Sequence, residues 1–418
     1  MRYLSRLRSG GLLSTTAPLR AELERSFGER PFTVRFWDGT TVESTTSGPT
    51  FLVHSPRAIA HMLRAPGELG LARAYVQGLL DVDDIDGAIE VVESWRPPGL
   101  AARRWLGLAA GAVRAMGLTL PPARPKIELR LRGQRHSIRR DREAIRYHYD
   151  AGNEFFALFL DPSMTYSCAI FSRGARTLEQ AQETKLELVC AKLGLEEGTR
   201  VLDVGCGWGS FALHAATRHG ARVLGITLSE PQVHFAQEHA RELGVEDRVE
   251  FRVADYRELT GDSFDAIASI GMVEHVGEAN IDVYAADLGR LLRPGGRLLN
   301  HGIAQLRHGD DNDAGPVSER YVFPDGEPLH LSRVVLALER AGFTVEHVEG
   351  FAEDYARTVS HWLERYEGRF DDAVALAGIE RARIWRVYLH AARNGFQSGF
   401  ESVYQVKCRL PERDARGS

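Results

Sequence analysis

Cysteine is scarce: Cys168, Cys190, Cys206 and Cys408 are the four in 418 residues, and no two form a CxxC pair. That spacing speaks against both a disulfide framework and a zinc site, and it fits a reducing cytoplasm. No HExxH or HxH cluster stands at a predicted site either, so no metal is implied. Long apolar runs are missing as well. The most apolar helix candidate, Trp105 to Leu120, is broken by Arg114 and too short to span a bilayer. The basic N-terminus (Arg2, Arg6, Arg8) is followed only by Gly-Leu-Leu at 11–13, whereas a secretory signal needs a longer apolar core. The expected location is therefore cytoplasmic, with contact to a membrane surface still open. An excess of positive charge is also absent. The net charge of -5 speaks against a general nucleic-acid binder. What remains, 44% apolar and 26% charged residues, is the composition of a globular protein of two or three domains.

Residues 32–37 (FTVRFW) and 40–44 (TTVES) flank Asp38-Gly39, a strong hairpin signal, and Phe51 to His54 offers a third strand. Helical patterns run from Pro56 to Leu63 and from Ile85 to Ser94. The reading is a small α+β domain over 1–120, a basic linker over 121–140, and a larger α/β domain over 141–418. Residues 124–146 are rich in arginine: Arg124, Arg130, Arg132, Arg135, Arg139, Arg140, Arg142 and Arg146, with Lys126. They read either as a solvated helix-and-linker face or as a patch for anionic phospholipid head groups, where each cation contributes about 1 kcal/mol. No aromatic interleaving suggests nucleic acid.

From about residue 178 helices and strands alternate: Leu178–Leu193, Arg200–Asp203, Ser210–His219, Ala221–Ile226, Glu230–Leu243, Val249–Val253, then strands Phe264–Ile270 and Arg297–Gly302. This alternation implies a parallel sheet with helices on both faces. After the first of these strands comes VGCGWGS, with Gly205, Gly207 and Gly209 before a helix. Glycines there permit tight turning and close approach of backbone to a ligand. Such a loop alone is weak evidence, because dinucleotide sites use a similar one. Three details separate them. Asp203 stands just before the glycines, no acid ends the second strand, and Asp255 ends the third, placed to meet an adenine amino group. The pattern resembles the class I fold of S-adenosylmethionine (SAM)-dependent methyltransferases, a Rossmann-like seven-stranded sheet.

Four further motifs narrow the resemblance: YHYDAGNEFFALFLDPSMTYSCAIF (147–171), TLSEPQ (227–232), GMVEHVG (271–277) and RYVFPDG (320–326). Together they resemble the cyclopropane-fatty-acyl-phospholipid synthases and the mycolic acid cyclopropane synthases. The resemblance runs from about Ile145 to the C-terminus and, more weakly, through 51–95. It implies methyl transfer from SAM to the double bond of an unsaturated acyl chain in membrane phospholipid. The resulting carbocation loses a proton to protein-held bicarbonate, closing a cyclopropane ring.

By the same resemblance Glu274 holds the bicarbonate, with Cys168, His301, Ile303 and Tyr355 completing the catalytic set. His301 is expected to end the fifth strand, where its imidazole could trade a proton near neutral pH. Ile303 would act through its backbone, and Tyr355 through its hydroxyl and ring face. The implied SAM contacts are Tyr166, Ser167, Asp203, Gly205, Cys206, Gly207, Gly209, Thr227, Ser229, Gln232, Asp255 and Tyr256. Tyr166 and Ser167 would cover the methionine end, Thr227 and Gln232 would replace the usual ribose-binding acid, and Cys206 would pack beside the loop. His275 reads as structural. Some relatives carry a cysteine where this chain has Ala392, so no covalent cysteine intermediate is expected. A homodimer bringing two sites to one membrane is implied by relatives with the extra N-terminal domain. The rivals are methylene or methyl branching from the same cation, a small-molecule methyltransferase, and a lipid-binding protein with a dead methyltransferase fold.

Overall fold

The computed structural model describes residues 15–120, 122–149, 151–261, 263–306 and 315–412. The basic N-terminal residues Arg2, Arg6 and Arg8 lie outside them. Two compact units are present, and both are discontinuous in sequence. The first comprises Met1–Leu129, Arg320–Val322 and Ala377–Ala391; the second holds the remainder.

In the first unit α1 (Ala17–Ser26), β1 (Thr33–Arg35), β2 (Thr41–Val42) and β3 (Thr50–Val53) precede α2 (Pro56–Arg64), α3 (Glu68–Val76), β4 (Leu80–Val82), α4 (Ile85–Ser94) and α5 (Ala102–Met116). The strands form a sheet in the order β2-β1-β3-β4. Asp38-Gly39 turns the β1–β2 hairpin, Gly39 taking a φ of 81° that suits glycine. Helix α5 buries Leu108, Gly111, Ala112 and Ala115. A Cβ at Gly111 would stand 3.0 Å from the Leu19 Cα, so this glycine lets α5 lie close to α1. The other face of α5 leaves Trp105, Leu106 and Val113 more than half exposed. Glu128 is withdrawn from the basic segment into this unit, where both its oxygens accept 2.6 Å hydrogen bonds from Arg73. Two charges this deeply buried need such a two-point pairing.

The second unit begins with α6 (Ile138–Tyr149) and α7 (Asn153–Phe156). It continues with α8 (Leu178–Leu193), β5 (Arg200–Val204), α9 (Ser210–His219), β6 (Arg222–Thr227), α10 (Glu230–Glu242), β7 (Val249–Val253), β8 (Phe264–Ile270), α11 (Ile281–Leu291) and β9 (Leu292–Gln305). Then come α12 (Gly315–Tyr321), whose last two residues count with the first unit, α13 (Leu331–Arg340), β10 (Thr344–Gly350), α14 (Ala352–Gly368), α15 (Phe370–Ala377), α16 (Ile379–Gln397), most of which belongs to the first unit, and β11 (Glu401–Arg409). The sheet order is β10-β11-β9-β8-β5-β6-β7, parallel from β9 through β7, with β11 antiparallel to both neighbours. Strands β5 and β8 are near-continuous apolar runs because helices cover both faces of the parallel part. One core lies between the sheet and α11 and α13, the other between it and α8, α9 and α10.

One sequence expectation is corrected here. His301 does not end its strand: β9 runs on to Gln305. It still pairs in register with Ile270, the last residue of β8, and so stands at that end of the sheet. Much of the basic stretch is also committed to ion pairs. Arg140 closes on the buried Asp325 at 2.5 Å, Arg135 on Asp325 and Glu319, Arg142 on Glu258, and Arg139 on Glu143.

Candidate active site

The glycine loop leaves β5 for α9 and borders a cavity. Gly205, Gly207, Thr227, Gln232, Asp255 and Tyr256 line it. Gly207 has a φ of 53° and a Cβ there would meet no protein atom within 4 Å, so its backbone is open to the cavity. Gly209 has another reason to be glycine. A Cβ there would stand 2.9 Å from both Ala236 and the Phe251 ring, so the residue serves packing of the loop against the core. Cys206 likewise sits in the core cluster beneath the loop. At the end of β6 the Thr227 hydroxyl donates to Gln232 Oε1 at 2.7 Å, and the Ser229 amide donates to the Thr227 hydroxyl. The Gln232 Nε2 is buried with no partner among the described residues. Asp255 receives Arg257 on both oxygens, and Arg257 also reaches Asp141 of α6 at 2.7 Å. The position expected to meet an adenine amino group thus also anchors α6.

Sequence reasoning missed several lining residues: Asp141, Ile145, Tyr149, Leu228, Ala254, Arg257, Met272, His275 and Asn280 also border the cavity. Tyr149 stood inside the quoted YHYDAGN motif. Its hydroxyl contacts Gln232, and burial pushes its pKa up to about 12. His275, read as structural, lines the cavity too, with its pKa pushed down to about 4 by burial.

Strand β8 ends at Ile270, and the chain turns at Gly271 (φ 67°) into one turn of 3-10 helix, Val273–His275. This turn explains a carboxylate after an apolar strand. Glu274 is half-buried as a residue, yet its Oε2 is closed off from solvent with no partner among the described residues. Burial pushes its pKa up to about 7, opposed by hydrogen bonds from its own amide and from that of Ile303. Gly302 makes room for it, since a Cβ there would stand 3.0 Å from Glu274 Oε2 and 2.2 Å from Val273. Ile303 therefore acts here through its backbone N–H.

Along the same strand, His301 Nδ1 meets Gln405 Nε2 at 3.1 Å, leaving its buried Nε2 with no partner among the described residues. The Gln405 amide can only donate, which makes Nδ1 the acceptor and places the ring proton on Nε2. Burial, with Lys185 and Lys192 nearby, pushes the His301 pKa down to about 3. This corrects the expectation that its imidazole trades a proton near neutral pH: His301 is a neutral N–H donor.

The Cys168 thiol donates toward the carbonyls of Ala169 and Phe351, and burial raises its pKa well above the ordinary thiol value. The Phe351 ring stacks on His301 with centroids 6.3 Å apart. Helix α14 starts just beyond, and its Tyr355 packs against Phe396 at 4.3 Å and Trp362 at 6.0 Å. Phe351 thereby links Cys168, His301 and the helix that carries Tyr355. Tyr166 lies among the rings of His148, Phe156 and Trp362. Ser167 accepts a 3.1 Å hydrogen bond from the fully buried Lys185. Lys185 has its pKa pushed down to about 8 by burial, against the pull of Asp161, and Asp203 has its own pushed up to about 7 by burial, against the pull of Lys185. Lys185 and Gln182, whose Nε2 donates to the carbonyls of Thr165 and Ser167, were missed. The available signal was two polar residues on the otherwise apolar face of α8.

With this geometry in view, comparison with known proteins is decisive on one point. The profile of the mycolic acid cyclopropane synthetase family matches residues 136–406. The chain belongs to that family. A probable fatty acid methyltransferase of Mycobacterium tuberculosis is 39% identical over 395 residues, covering 92% of both chains. The cyclopropane-fatty-acyl-phospholipid synthase of Escherichia coli is 34% identical, covering 81% of this chain and 82% of its own. Among solved structures, a cyclopropane synthase from Mycobacterium tuberculosis superposes with a TM-score of 0.61 at 32% identity, covering 64% of this chain and 98% of its own. A mycolic acid cyclopropane synthase in complex with SAH and CTAB gives the same TM-score at 31% identity, covering the same shares of both chains. The fold is that of the class I methyltransferases, and this family member is an enzyme of the SAM-dependent methyltransferase class.

Proposed function

We propose that this enzyme takes a methylene from SAM to the double bond of an unsaturated acyl chain of membrane phospholipid and closes a cyclopropane ring, with bicarbonate as the base. The observation that carries the reading is Glu274 Oε2, a carboxylate oxygen buried with no partner among the described residues, on the turn whose Met272 and His275 line the cavity. A buried polar atom without a partner costs free energy unless a ligand meets it.

The residues present fit both small molecules. For SAM there are the open backbone at Gly207 and two buried atoms with no partner among the described residues, Gln232 Nε2 and Asp203 Oδ2. For bicarbonate there are Glu274 Oε2 and His301 Nε2. When bound, SAM supplies an electrophilic methyl group and bicarbonate a small base.

Glu274 has a pKa near 7 and can share a proton with an anion that a fully ionised carboxylate would repel. His301 Nε2–H donates without adding a positive charge near a developing cation. The Ile303 amide fixes the Glu274 carboxylate. Neutral Cys168 and Phe351 hold the N-terminus of α14, and Tyr355 offers a ring face to positive charge. Burial of this set excludes water, which would otherwise capture a carbocation.

Among the described residues no helix is long and apolar enough to cross a membrane. In the proposed reading the enzyme is cytoplasmic and binds the bilayer peripherally through the N-terminal unit, using the exposed apolar face of α5. A homodimer would bring two sites to one surface.

The test is incubation with methyl-labelled SAM and monounsaturated phospholipid vesicles, with and without carbon-dioxide-free buffer. Labelled fatty acids with ring-proton NMR signals, and a rate restored by added bicarbonate, support the reading. Methylene or methyl-branch signals would move the assignment to branching. Label entering no lipid, despite SAM binding, would overturn the lipid substrate.

A further inference from the structure

Helices α8 and α9 pack side by side and carry a cluster that the methyl-transfer site does not use. Glu187 and Cys190 stand three residues apart on α8, which puts them on one face. His214 and His219 stand on α9. One ligand atom each from Cys190, His214 and His219 lie within 4.8 Å of one another. Glu187 Oε2 lies 3.2 Å from His214 Nε2 and 3.0 Å from His219 Nε2. The cluster runs from core to surface: Cys190 is buried, while the side chains of His214, His219 and Glu187 are 11%, 20% and 53% exposed. An ion could therefore enter from the Glu187 side.

We propose that Glu187, Cys190, His214 and His219 form a structural zinc site that clamps α8 to α9. One thiolate, two imidazoles and a carboxylate are the mixed donor set that suits zinc. In a tetrahedral site with bonds of about 2.0–2.3 Å, neighbouring donors stand roughly 3.3–3.6 Å apart. The two Glu–His separations are already close to that, and the separations among Cys190, His214 and His219, at most 4.8 Å, can close by side-chain rotation. On binding, Cys190 gives up its thiol proton, and the two imidazoles bind as neutral ligands in place of their hydrogen bonds to Glu187. The dication then meets one thiolate and one carboxylate, so the charges balance in this partly buried place. Four protein ligands leave no open position, which makes the site structural. His219 is the last residue of α9, whereas Ser210, next to the glycine loop, is the first. The ten-residue helix puts about 14 Å between its two ends, and the proposal is independent of the acyl substrate.

The test uses the full chain, stripped with a chelator and titrated with zinc by calorimetry and with cobalt by absorption. Expected are one zinc per chain, a rise of a few degrees in melting temperature, and a near-ultraviolet thiolate-to-cobalt charge-transfer band. Cys190→Ser should abolish the band and weaken zinc binding at least 100-fold. Should that core variant not fold, His219→Ala at the rim carries the test and should weaken binding at least tenfold. No zinc binding, or binding of unchanged stoichiometry and affinity in the variants, overturns the site.

Discussion

Glu274→Gln separates the proposed role of this carboxylate from mere packing, because stability and activity should move in opposite directions. In the folded protein the group titrates near 7 instead of 4.5, chiefly through burial. The folded state therefore holds a proton that the unfolded chain has lost over this interval. Stability from the group is intact below pH 4.5, falls as pH rises, and reaches its lower plateau above 7. At about 1.36 kcal/mol per pKa unit, the full cost of ionising Glu274 is about 3 kcal/mol. Glutamine does not titrate and skips that loss. Urea unfolding of both proteins from pH 4.5 to 9 should show the stability of the variant gaining about 3 kcal/mol on the wild type as pH rises. Comparing the pair cancels the contributions of Asp203 and Lys185, which also titrate in this range. Methyl transfer to lipid should meanwhile fall roughly 10²–10³-fold, the usual size for loss of one preorganised electrostatic group. Parallel stability curves would refute the buried, near-neutral carboxylate. Unchanged activity would refute its place in the reaction.

Three further outcomes follow from the geometry. Gly207→Ala should cost about 1–2 kcal/mol for its left-handed backbone and weaken SAM binding more than tenfold by calorimetry. Gly209→Ala, also at a left-handed position (φ 87°), should lose about 1–3 kcal/mol more by overpacking Ala236 and Phe251 while SAM binding changes less; similar SAM affinities in the two variants would contradict the division. Cys168→Ala should keep methyl transfer within about tenfold, because the thiol is neutral and donates only to backbone carbonyls. A loss as large as that of Glu274→Gln would show that the sulfur takes part. Trp105→Asp combined with Leu106→Asp changes exposed positions of α5. Vesicle flotation and lipid methylation should both drop severalfold at unchanged SAM affinity, whereas undiminished flotation would remove α5 from the membrane contact.

The parallel half of the sheet was legible because it is written in apolar runs and glycine turns: Ser210–His219, Val249–Val253 and Phe264–Ile270 have the bounds the pattern implied. Strands β10 and β11 went unread because β10 is a charged edge strand, TVEHVEG, with an exposed pattern. Strand β11 follows a long helix and finds its partner β9 only through a contact roughly a hundred residues distant. The same non-locality governs the site. Motif positions located Glu274, His301 and Cys168, but their protonation states depend on what the fold packs round them. His301 illustrates the gap. Its residue type suggests a proton shuttle near pH 7. Gln405, brought alongside by β11, fixes the tautomer, and burial removes the charge. A neutral donor of fixed tautomer can hold an anion near a developing cation without opposing that cation. A protonated imidazole at the same place would add a repulsive charge, so the burial that costs His301 its basicity also suits it to the proposed chemistry.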